Sequence, residues 1–303
     1  MRFKAICLII CSLCAFDAFA ETIEVCGDLK QGELILIREP NAHSFAVYDL
    51  IGIDDLQTPK FDPAKGKDYP VRDDVIVLVA LHRDSPKKMT FAAYPGTDAG
   101  SFYEVQIAPT DWDVQHISGV AQGKVTPSKS AEAEIQRERR ELGRAVTHVK
   151  KGDFWRRGFI LPVDGRISGH FGNQRIFNGI PKSPHTGTDI AAPEGTPVKA
   201  SGDGIVLLSG KDYFYTGNMV VIDHGQGLQT IYAHLKAATV KEGDTVKQGD
   251  VIGFVGKTGR ATGPHLHWGA SLNNVRFRPH SLLDIKEKHC KVIEGVYAGD
   301  FAE

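Results

Sequence analysis

The sequence predicts a mainly β protein with an N-terminal β-sandwich-like module, a charged linker helix and an all-β C-terminal domain. The chain of 303 residues is long enough for roughly two domains. Short apolar segments of period two, separated by turn residues, fill the first half. Of the 32 glycines, 22 lie from Gly158 onward, which indicates a second half of glycine-punctuated strands.

Composition excludes several classes of protein. Hydrophobic residues make up 42% of the chain and charged residues 24%, which are ordinary globular values and not those of a disordered chain. Lys and Arg number 36 against 37 Asp and Glu, a net charge of −1. Because a nucleic-acid binder needs a basic surface, no nucleic-acid partner is expected.

The first 20 residues have the pattern of a signal peptide. Arg2 and Lys4 precede a short apolar run over 5–16, and Ala18-Phe19-Ala20 fits a small-x-small cleavage site. The run is too short to span a bilayer comfortably. We therefore expect a signal peptide over 1–20, export to the periplasm or the extracellular wall, and no stable membrane insertion after cleavage.

Export changes the interpretation of the cysteines. Cys7, Cys11 and Cys14 would leave with the signal, so Cys26 and Cys290 remain near the two ends of the mature chain. An oxidising compartment permits a disulfide between them. Two unrelated buried thiols are the alternative, and the sequence leaves both open.

Residues 21–126 are expected to form the β-sandwich-like module. No chemical constellation is visible here, so its role as spacer, wall-binding module or cover of a groove stays open. The predicted strands are Glu33–Ile37, Ser44–Tyr48, Val75–Val79, Met89–Ala93 and Phe102–Ile107.

Residues 127–157 are expected to be a helical linker. Pro127 suits the first turn of a helix and Thr126 could cap it. Charged residues cover most of the segment, which favours a solvated linker over a partner-binding helix. One apolar face is predicted at helical spacing, formed by Ile135, Leu142, Val146 and Val149.

Residues 158–285 are expected to be the all-β domain, and 286–303 a C-terminal tail. No convincing helix is visible before Ser281. Glycine-punctuated strands are predicted at Thr196–Ala200, Gly204–Leu208, Met219–Asp223 and Asp250–Val255.

Three histidine-containing motifs of this domain have the chemistry of a metal site. His265 and His267 are two residues apart, so on a strand they point to the same face. His185 and Asp189 are four apart and share a face of an extended chain for the same reason. Imidazole and carboxylate are suitable zinc ligands, and a catalytic zinc keeps three of them plus one open position.

The four residues above are joined by a fifth candidate, His234 of the motif Tyr232-Ala233-His234-Leu235. There are therefore more candidate residues than the three ligands that a catalytic zinc needs. An amide hydrolase also needs groups that take a proton from water and stabilise an oxyanion, and additional imidazoles could do this. Spacing alone does not separate ligands from reacting groups. It also leaves a purely structural zinc open.

The run from His185 to Trp268 resembles the LytM/lysostaphin-type zinc endopeptidases that cleave peptidoglycan peptides. Its motifs occur in family order over roughly 158–283, and the segments 112–117 and 124–127 look more weakly like the front half of a bacterial subgroup. The motifs are His185-x-x-x-Asp189 with the following Ile190–Val198, then Tyr232–Leu235, then Gly259–His267.

The resemblance implies a LytM-type domain with a duplicated hybrid motif, and an active zinc metallopeptidase with one Zn²⁺ per chain. By similarity, His185, Asp189 and His267 bind zinc. His234 and His265 orient or deprotonate the water and stabilise the tetrahedral intermediate. The implied substrate is a peptide cross-link of peptidoglycan, and oligomeric state is not implied.

The chain departs from the family pattern at one position, and the resemblance leaves several roles open. Some relatives have a tyrosine just before His185, and Tyr213 or Tyr215 is the candidate substitute here. Arg175 could meet a substrate carboxylate or form a salt bridge. The bond could be a D,D cross-link with diaminopimelate or a glycine bridge. The alternatives to an enzyme are a catalytically silent activator of another wall hydrolase, and a wall-binding scaffold.

Overall fold

The structure, a computed structural model, describes residues 22–39, 44–48, 67–70, 75–94, 101–147, 152–285 and 289–297. The predicted signal peptide lies outside these residues. They form 22 strands and two α-helices, so the predicted mainly β fold class is confirmed. Across the described ranges, neither helix is long and apolar enough to traverse a bilayer.

The strands of the first half follow the predicted positions, with additional strands at 22–26, 67–70 and 114–117. In chain order they are β1 (Thr22–Cys26), β2 (Leu34–Glu39), β3 (Ser44–Tyr48), β4 (Lys67–Pro70), β5 (Val75–Ala80), β6 (Lys88–Tyr94), β7 (Ser101–Gln106) and β8 (Val114–Ile117).

The second half contains twelve strands and two short 3₁₀ turns, at Phe154–Arg157 and Pro279–Leu282, and two strands follow near the end of the chain. They are β9 (Arg166–Gly169), β10 (Gln174–Phe177), β11 (Ile180–Lys182), β12 (Gly187–Ala191), β13 (Pro197–Lys199), β14 (Gly204–Tyr213), β15 (Gly217–Asp223), β16 (Leu228–Ala238), β17 (Thr245–Val246), β18 (Val251–Val255), β19 (His265–Leu272), β20 (Val275–Phe277), β21 (Cys290–Glu294) and β22 (Val296–Tyr297).

The N-terminal module is a sandwich of two antiparallel sheets. One sheet has the order β21-β1-β2-β5 and the other β22-β7-β6-β3-β4. In β1, β2 and β5, alternating residues point into the sandwich, as period-two patterning requires. The buried interior side chains are Ile23, Val25, Ile35, Ile37, Val77, Val79, Leu81, Met89, Phe91, Tyr103, Val105 and Ile107.

The opposite face of the first sheet packs against the C-terminal domain. Leu34, Leu36 and Leu78 point away from the sandwich interior and join the core cluster that contains Phe277 and Leu282. Because this sheet serves two cores, the module and the domain share buried apolar surface.

An ion pair between the buried Glu33 and the half-exposed Arg278 reinforces this contact. Glu33 is 5% exposed and pairs with Arg278 at 2.6 Å, while the Ser281 hydroxyl donates to the Glu33 carboxylate at 2.5 Å. A buried carboxylate requires such partners. The two halves therefore meet through both apolar and charged contacts.

The segment expected as a tail folds back onto the module. Strand β21 pairs with β1 and β22 pairs with β7, so the segment adds one strand to each sheet. Cys26 lies directly opposite Cys290 in the first of these pairings, and the two form a disulfide. Of the two possibilities the sequence left open, the structure has the disulfide.

The linker contains α1 (Gln122–Val125) and α2 (Lys129–Thr147). Helix α2 begins two residues after the predicted Pro127, because the Ser128 hydroxyl accepts a hydrogen bond from the amide of Ala131 at 3.3 Å and caps the helix. Leu142 and Val146 pack on the face of β14–β16 outside the main core. Val149 lies outside the described residues.

The C-terminal domain is built on a ten-stranded sheet with the main order β17-β14-β15-β16-β19-β12-β9. Strands β13, β18 and β20 pair at its sides. Beside it, β10 pairs with β11 and, in parallel, with β8 from the preceding segment. The adjacent strands β16, β19 and β12 carry or adjoin the site residues.

Candidate metal centre

Strand register brings the candidate residues together. Asp189 of β12 lies directly opposite His267 of β19, and Ala233 of β16 lies opposite His267 on its other side. His234 therefore follows the residue paired with His267. His265 stands two positions before His267 on β19, as the alternation of a strand predicts.

The ligand atoms of His185, Asp189 and His267 all lie within 4.8 Å of one another. Nε2 of His185 is 3.0 Å from Oδ1 of Asp189 and 3.0 Å from Nδ1 of His267, and that Nδ1 is 2.9 Å from the same Oδ1. Ligands of tetrahedral zinc at about 2.0–2.1 Å lie about 3.3 Å apart, so this triangle of two nitrogens and one oxygen fits zinc.

His185 is oriented by its own backbone surroundings. It is 3% exposed, and its Nδ1 donates a hydrogen bond to the carbonyl of His170 at 2.9 Å. Because a carbonyl only accepts, Nδ1 carries the proton and Nε2 presents a lone pair to the cluster. Burial lowers the pKa of His185 to about 4, which keeps the ring neutral and able to bind a metal.

Asp189 is the charged member of the group. Burial raises the pKa of its carboxyl, but the hydrogen bonds and charges of His185 and His267 outweigh this and hold the pKa well below its usual value. Its second oxygen forms an ion pair with Arg175 of β10. Of the two roles considered for Arg175, the structure has the salt bridge.

His234 and His265 stand beside the triangle. Their ring centroids are 4.8 Å apart, and Nε2 of His265 is 3.9 Å from Oδ1 of Asp189. Nδ1 of His234 donates to the carbonyl of Thr258 at 2.9 Å and Nδ1 of His265 to that of Gly263 at 2.8 Å, so both Nε2 atoms are left as acceptors. Burial, followed by the charges of neighbouring imidazoles, lowers the pKa of His234 to about 3.

His234 also has unusual backbone geometry. Its φ is +63°, in the left-handed region that residues other than glycine seldom occupy. The amide of His234 donates to the carbonyl of Thr216 at 2.8 Å, which holds this conformation. Such conformations cluster at functional sites.

All five predicted site residues thus lie in one cluster. Other candidates lie apart or act differently: His224 is fully buried and hydrogen-bonded to the Asp203 carbonyl at 2.6 Å and the Thr230 hydroxyl at 2.7 Å, a structural arrangement. Tyr213 is buried beside Glu141 of α2, and Tyr215 stacks on Arg260.

A second group of metal-type residues, Glu24 with Cys26 and Cys290, offers no free thiolates because the two cysteines form a disulfide.

The N-terminal half reaches the loop before His185. Nε of Arg83 donates to the carbonyl of Gly172 at 2.6 Å, and the Trp112 ring packs edge-on to Phe171 at 5.9 Å. A side chain at Gly172 would meet the Trp112 ring at 2.2 Å, which explains the glycine. The sequence motifs assign no role to Arg83, which lies outside them, or to Arg260, which lies within Gly259–His267 but is not a histidine or a carboxylate.

Comparison with known proteins places this centre in a family. Residues 183–279, which include all five candidate residues, match Peptidase family M23. Residues 183–279 are therefore a peptidase M23 domain of the LytM/lysostaphin type, and the resemblance seen in the motifs is confirmed. The family is zinc-dependent.

Curated relatives match over the same domain. The "DD-carboxypeptidase/endopeptidase Mpg" of Neisseria meningitidis is 53% identical over 98 residues, which cover 32% of this chain and 22% of that protein. The "Peptidoglycan DD-endopeptidase ShyA" of Vibrio cholerae is 47% identical over 123 residues, covering 39% and 28%. The chain thus spans about a quarter of the length of these relatives.

A solved structure is similar over a longer part of the chain. A Pseudomonas aeruginosa protein described as a peptidase M23 superposes with a TM-score of 0.62 at 26% sequence identity. The match covers 85% of this chain and 96% of that one. The similarity therefore includes most of the N-terminal half as well as the family domain.

Proposed function

We propose that the chain is a zinc endopeptidase that hydrolyses peptide cross-links of peptidoglycan, with one Zn²⁺ per chain held by His185, Asp189 and His267. The observation that carries the proposal is the gathering of these three ligand atoms within 4.8 Å, with two further imidazoles beside them. The relatives named as DD-endopeptidases support the class of substrate.

The two imidazoles that are not ligands have the protonation state that hydrolysis needs. When bound, zinc supplies a Lewis acid that polarises the scissile carbonyl and activates a water molecule. In both His265 and His234, Nδ1 carries the proton and donates a hydrogen bond to a backbone carbonyl. The Nε2 atom of each ring is therefore unprotonated. Either ring can accept the proton of the water, and once protonated it can donate to the oxyanion or to the leaving amine.

Of the two rings, His265 is the one that lies beside the Asp189 carboxylate. Its Nε2 is 3.9 Å from Oδ1 of Asp189. Burial opposes a charge on His234, whose pKa is lowered to about 3. We therefore assign His265 as the general base and His234 to orienting the water and the tetrahedral intermediate.

Export to the wall is part of the proposal. The disulfide between Cys26 and Cys290 supports an oxidising compartment, because such bonds are rare in the cytosol. The signal-peptide pattern over 1–20 supports the same location. Peptidoglycan, the proposed substrate, also lies outside the cytoplasm.

We further propose that the units 21–126, 127–157 and 158–285 work together, with the first supporting the loop that precedes His185. The hydrogen bond from Arg83 to Gly172 and the pairing of β8 with β10 support this role over that of an independent wall-binding module. A catalytically silent activator has less support, since all five site residues are present.

The test is zinc-dependent cleavage of isolated sacculi by the mature chain. We expect loss of cross-linked dimers, detected by mass spectrometry of the released fragments, and abolition of that loss by a zinc chelator. Restoration by added zinc is the control for chelator side effects. Intact cross-links after incubation with the zinc-loaded protein would contradict the proposal.

A further inference from the structure

The loop between β18 and β19 carries a partly buried arginine in addition to the two backbone carbonyls that orient the imidazoles. Thr258 and Gly263 accept the hydrogen bonds from His234 and His265. Arg260 lies between them in the chain, and its amide donates to the carbonyl of Tyr215 at 2.9 Å. The arginine is therefore on the same loop as both acceptors that hold the proton-transfer groups.

Two aromatic rings fix the guanidinium of Arg260. Its central carbon is 4.5 Å from the ring centroid of Phe177 and 4.4 Å from that of Tyr215. Stacking uses the faces of the guanidinium and leaves its edge of N–H donors available. A guanidinium held in this way is preorganised to bind a planar anion through two parallel hydrogen bonds.

Two arginines lie near Phe177, and only one of them is paired with a carboxylate. Across the described residues, no carboxylate lies within ion-pairing distance of Arg260. Arg175, which lies 5.9 Å from the same Phe177 ring, is already paired with Asp189. Burial, with the like charge of Arg175, lowers the pKa of Arg260, although an arginine remains protonated at neutral pH. Asp189 is thus already paired with Arg175, whereas Arg260 has no carboxylate partner among the described residues.

We propose that Arg260 binds a free carboxylate of the substrate on the amine side of the scissile bond. The amine side is assigned because Arg260 shares its loop with the Gly263 carbonyl that orients His265, the ring assigned to proton transfer and therefore to protonation of the leaving amine. A D,D cross-link with diaminopimelate has such a carboxylate on the carbon that bears the scissile nitrogen, whereas a glycine bridge has none. The groove would therefore select carboxylate-bearing cross-links, an inference that rests on the proposed function.

The experiment compares two synthetic cross-linked peptides that differ only in this carboxylate, free in one and amidated in the other. With wild-type protein we expect kcat/KM to be roughly tenfold to hundredfold higher for the free acid, the range of a charge-assisted hydrogen-bonded pair. Arg260→Gln should lose that advantage, so that its kcat/KM values for the acid and the amidated peptide agree within about twofold. Arg260→Lys should keep part of the preference.

The controls separate binding of a carboxylate from a structural role. Arg139→Gln changes an exposed arginine on α2 and should leave kcat/KM unchanged for both peptides. Zinc content and the unfolding midpoint are measured for each variant. Equal cleavage of both peptides by wild type overturns the proposal, as does an Arg260→Gln variant that loses both activities equally with zinc retained.

A failure of the proposed function has a different signature. Zinc-loaded wild type that cleaves neither peptide overturns the enzymatic proposal, and the assignment of Arg260 is then decided by binding alone. Calorimetry then adds a second readout: the acid dipeptide product should bind at least roughly tenfold more tightly than its amide to His265→Ala, a variant that keeps Arg260. Equal binding of the two dipeptides overturns the assignment independently of turnover.

Discussion

Arg83 of the N-terminal module donates a 2.6 Å hydrogen bond to the carbonyl of Gly172, in the loop that leads to the metal centre. The amide of Gly172 in turn donates to the carbonyl of His185 at 2.9 Å. The guanidinium of Arg83 also lies over the Trp112 ring, 5.5 Å from its centroid. A residue about 100 positions earlier in the chain thus restrains a candidate metal ligand through two consecutive hydrogen bonds.

Removing this restraint should weaken zinc binding. Arg83→Ala leaves the Gly172 carbonyl without its charged donor, so His185 is less fixed, and we expect up to roughly tenfold lower zinc affinity. Competition with a fluorescent chelator measures the affinity. Arg139→Ala on the exposed face of α2 is the matched control. An unchanged affinity in Arg83→Ala would show that the module contributes nothing to the centre.

Gly187 should be required for the position of His267. A side chain at this residue would meet the carbonyl of Trp268 at 2.5 Å and the His267 ring at 2.8 Å. Because backbone cannot yield, we expect Gly187→Ala to lower the free energy of unfolding by about 1–3 kcal/mol and to reduce zinc affinity.

Gly143→Ala provides the comparison for that substitution. Gly143 lies within α2 with nothing within 4 Å of the added carbon, so this change should stabilise the protein by about 0.5–1 kcal/mol. Denaturant titration of the two variants measures both effects. A Gly187→Ala protein as stable as wild type with normal zinc content would refute the packing argument.

His224 should make stability fall with acid. Burial lowers its pKa from 6.5 to about 4, so the folded state holds the ring neutral while the unfolded chain takes up a proton. The stabilising contribution is fully present above pH 6.5 and is lost as the pH falls towards 4, by up to about 3 kcal/mol. Burial also lowers the pKa values of His185 and His234, so the contribution of His224 is isolated with a variant.

The variant for this comparison is His224→Gln, measured by denaturant unfolding at pH 7.5 and pH 5. Its stability at pH 7.5 should be lower than that of wild type, since two buried hydrogen bonds are disturbed. Between pH 7.5 and pH 5, the free energy of unfolding of this variant should fall by less than that of wild type. If both proteins lost the same free energy between the two pH values, His224 would not be the titrating group.

Much of this fold is readable from local sequence pattern. The strands at 44–48 and 75–80 alternate apolar and polar or run continuously apolar, and the structure has strands there. The five site residues are also visible in sequence, because strand periodicity places His265 and His267 on one face. Local rules suffice where a feature depends on neighbours in the chain.

Features that depend on distant pairing were not visible. Strand β21 is short and mostly exposed, so nothing in its composition distinguishes it from a tail until β1 pairs with it. The contact of Arg83 with Gly172 likewise joins residues of different domains. Arg260 carries no periodic signal, and its importance comes from Phe177 and Tyr215, which arrive from two other hairpins.

The five residues of the cluster are proposed to fall into two sets, three zinc ligands and two imidazoles that are not ligands. The decisive measurement determines zinc per chain and the rate of cross-link cleavage in parallel for Asp189→Ala and His265→Ala. We expect Asp189→Ala to lose both zinc and activity, and His265→Ala to retain one zinc per chain while cleavage falls by roughly 10²–10⁴-fold. A His265→Ala protein that cleaves at the wild-type rate, or an Asp189→Ala protein that keeps its zinc, would contradict the account.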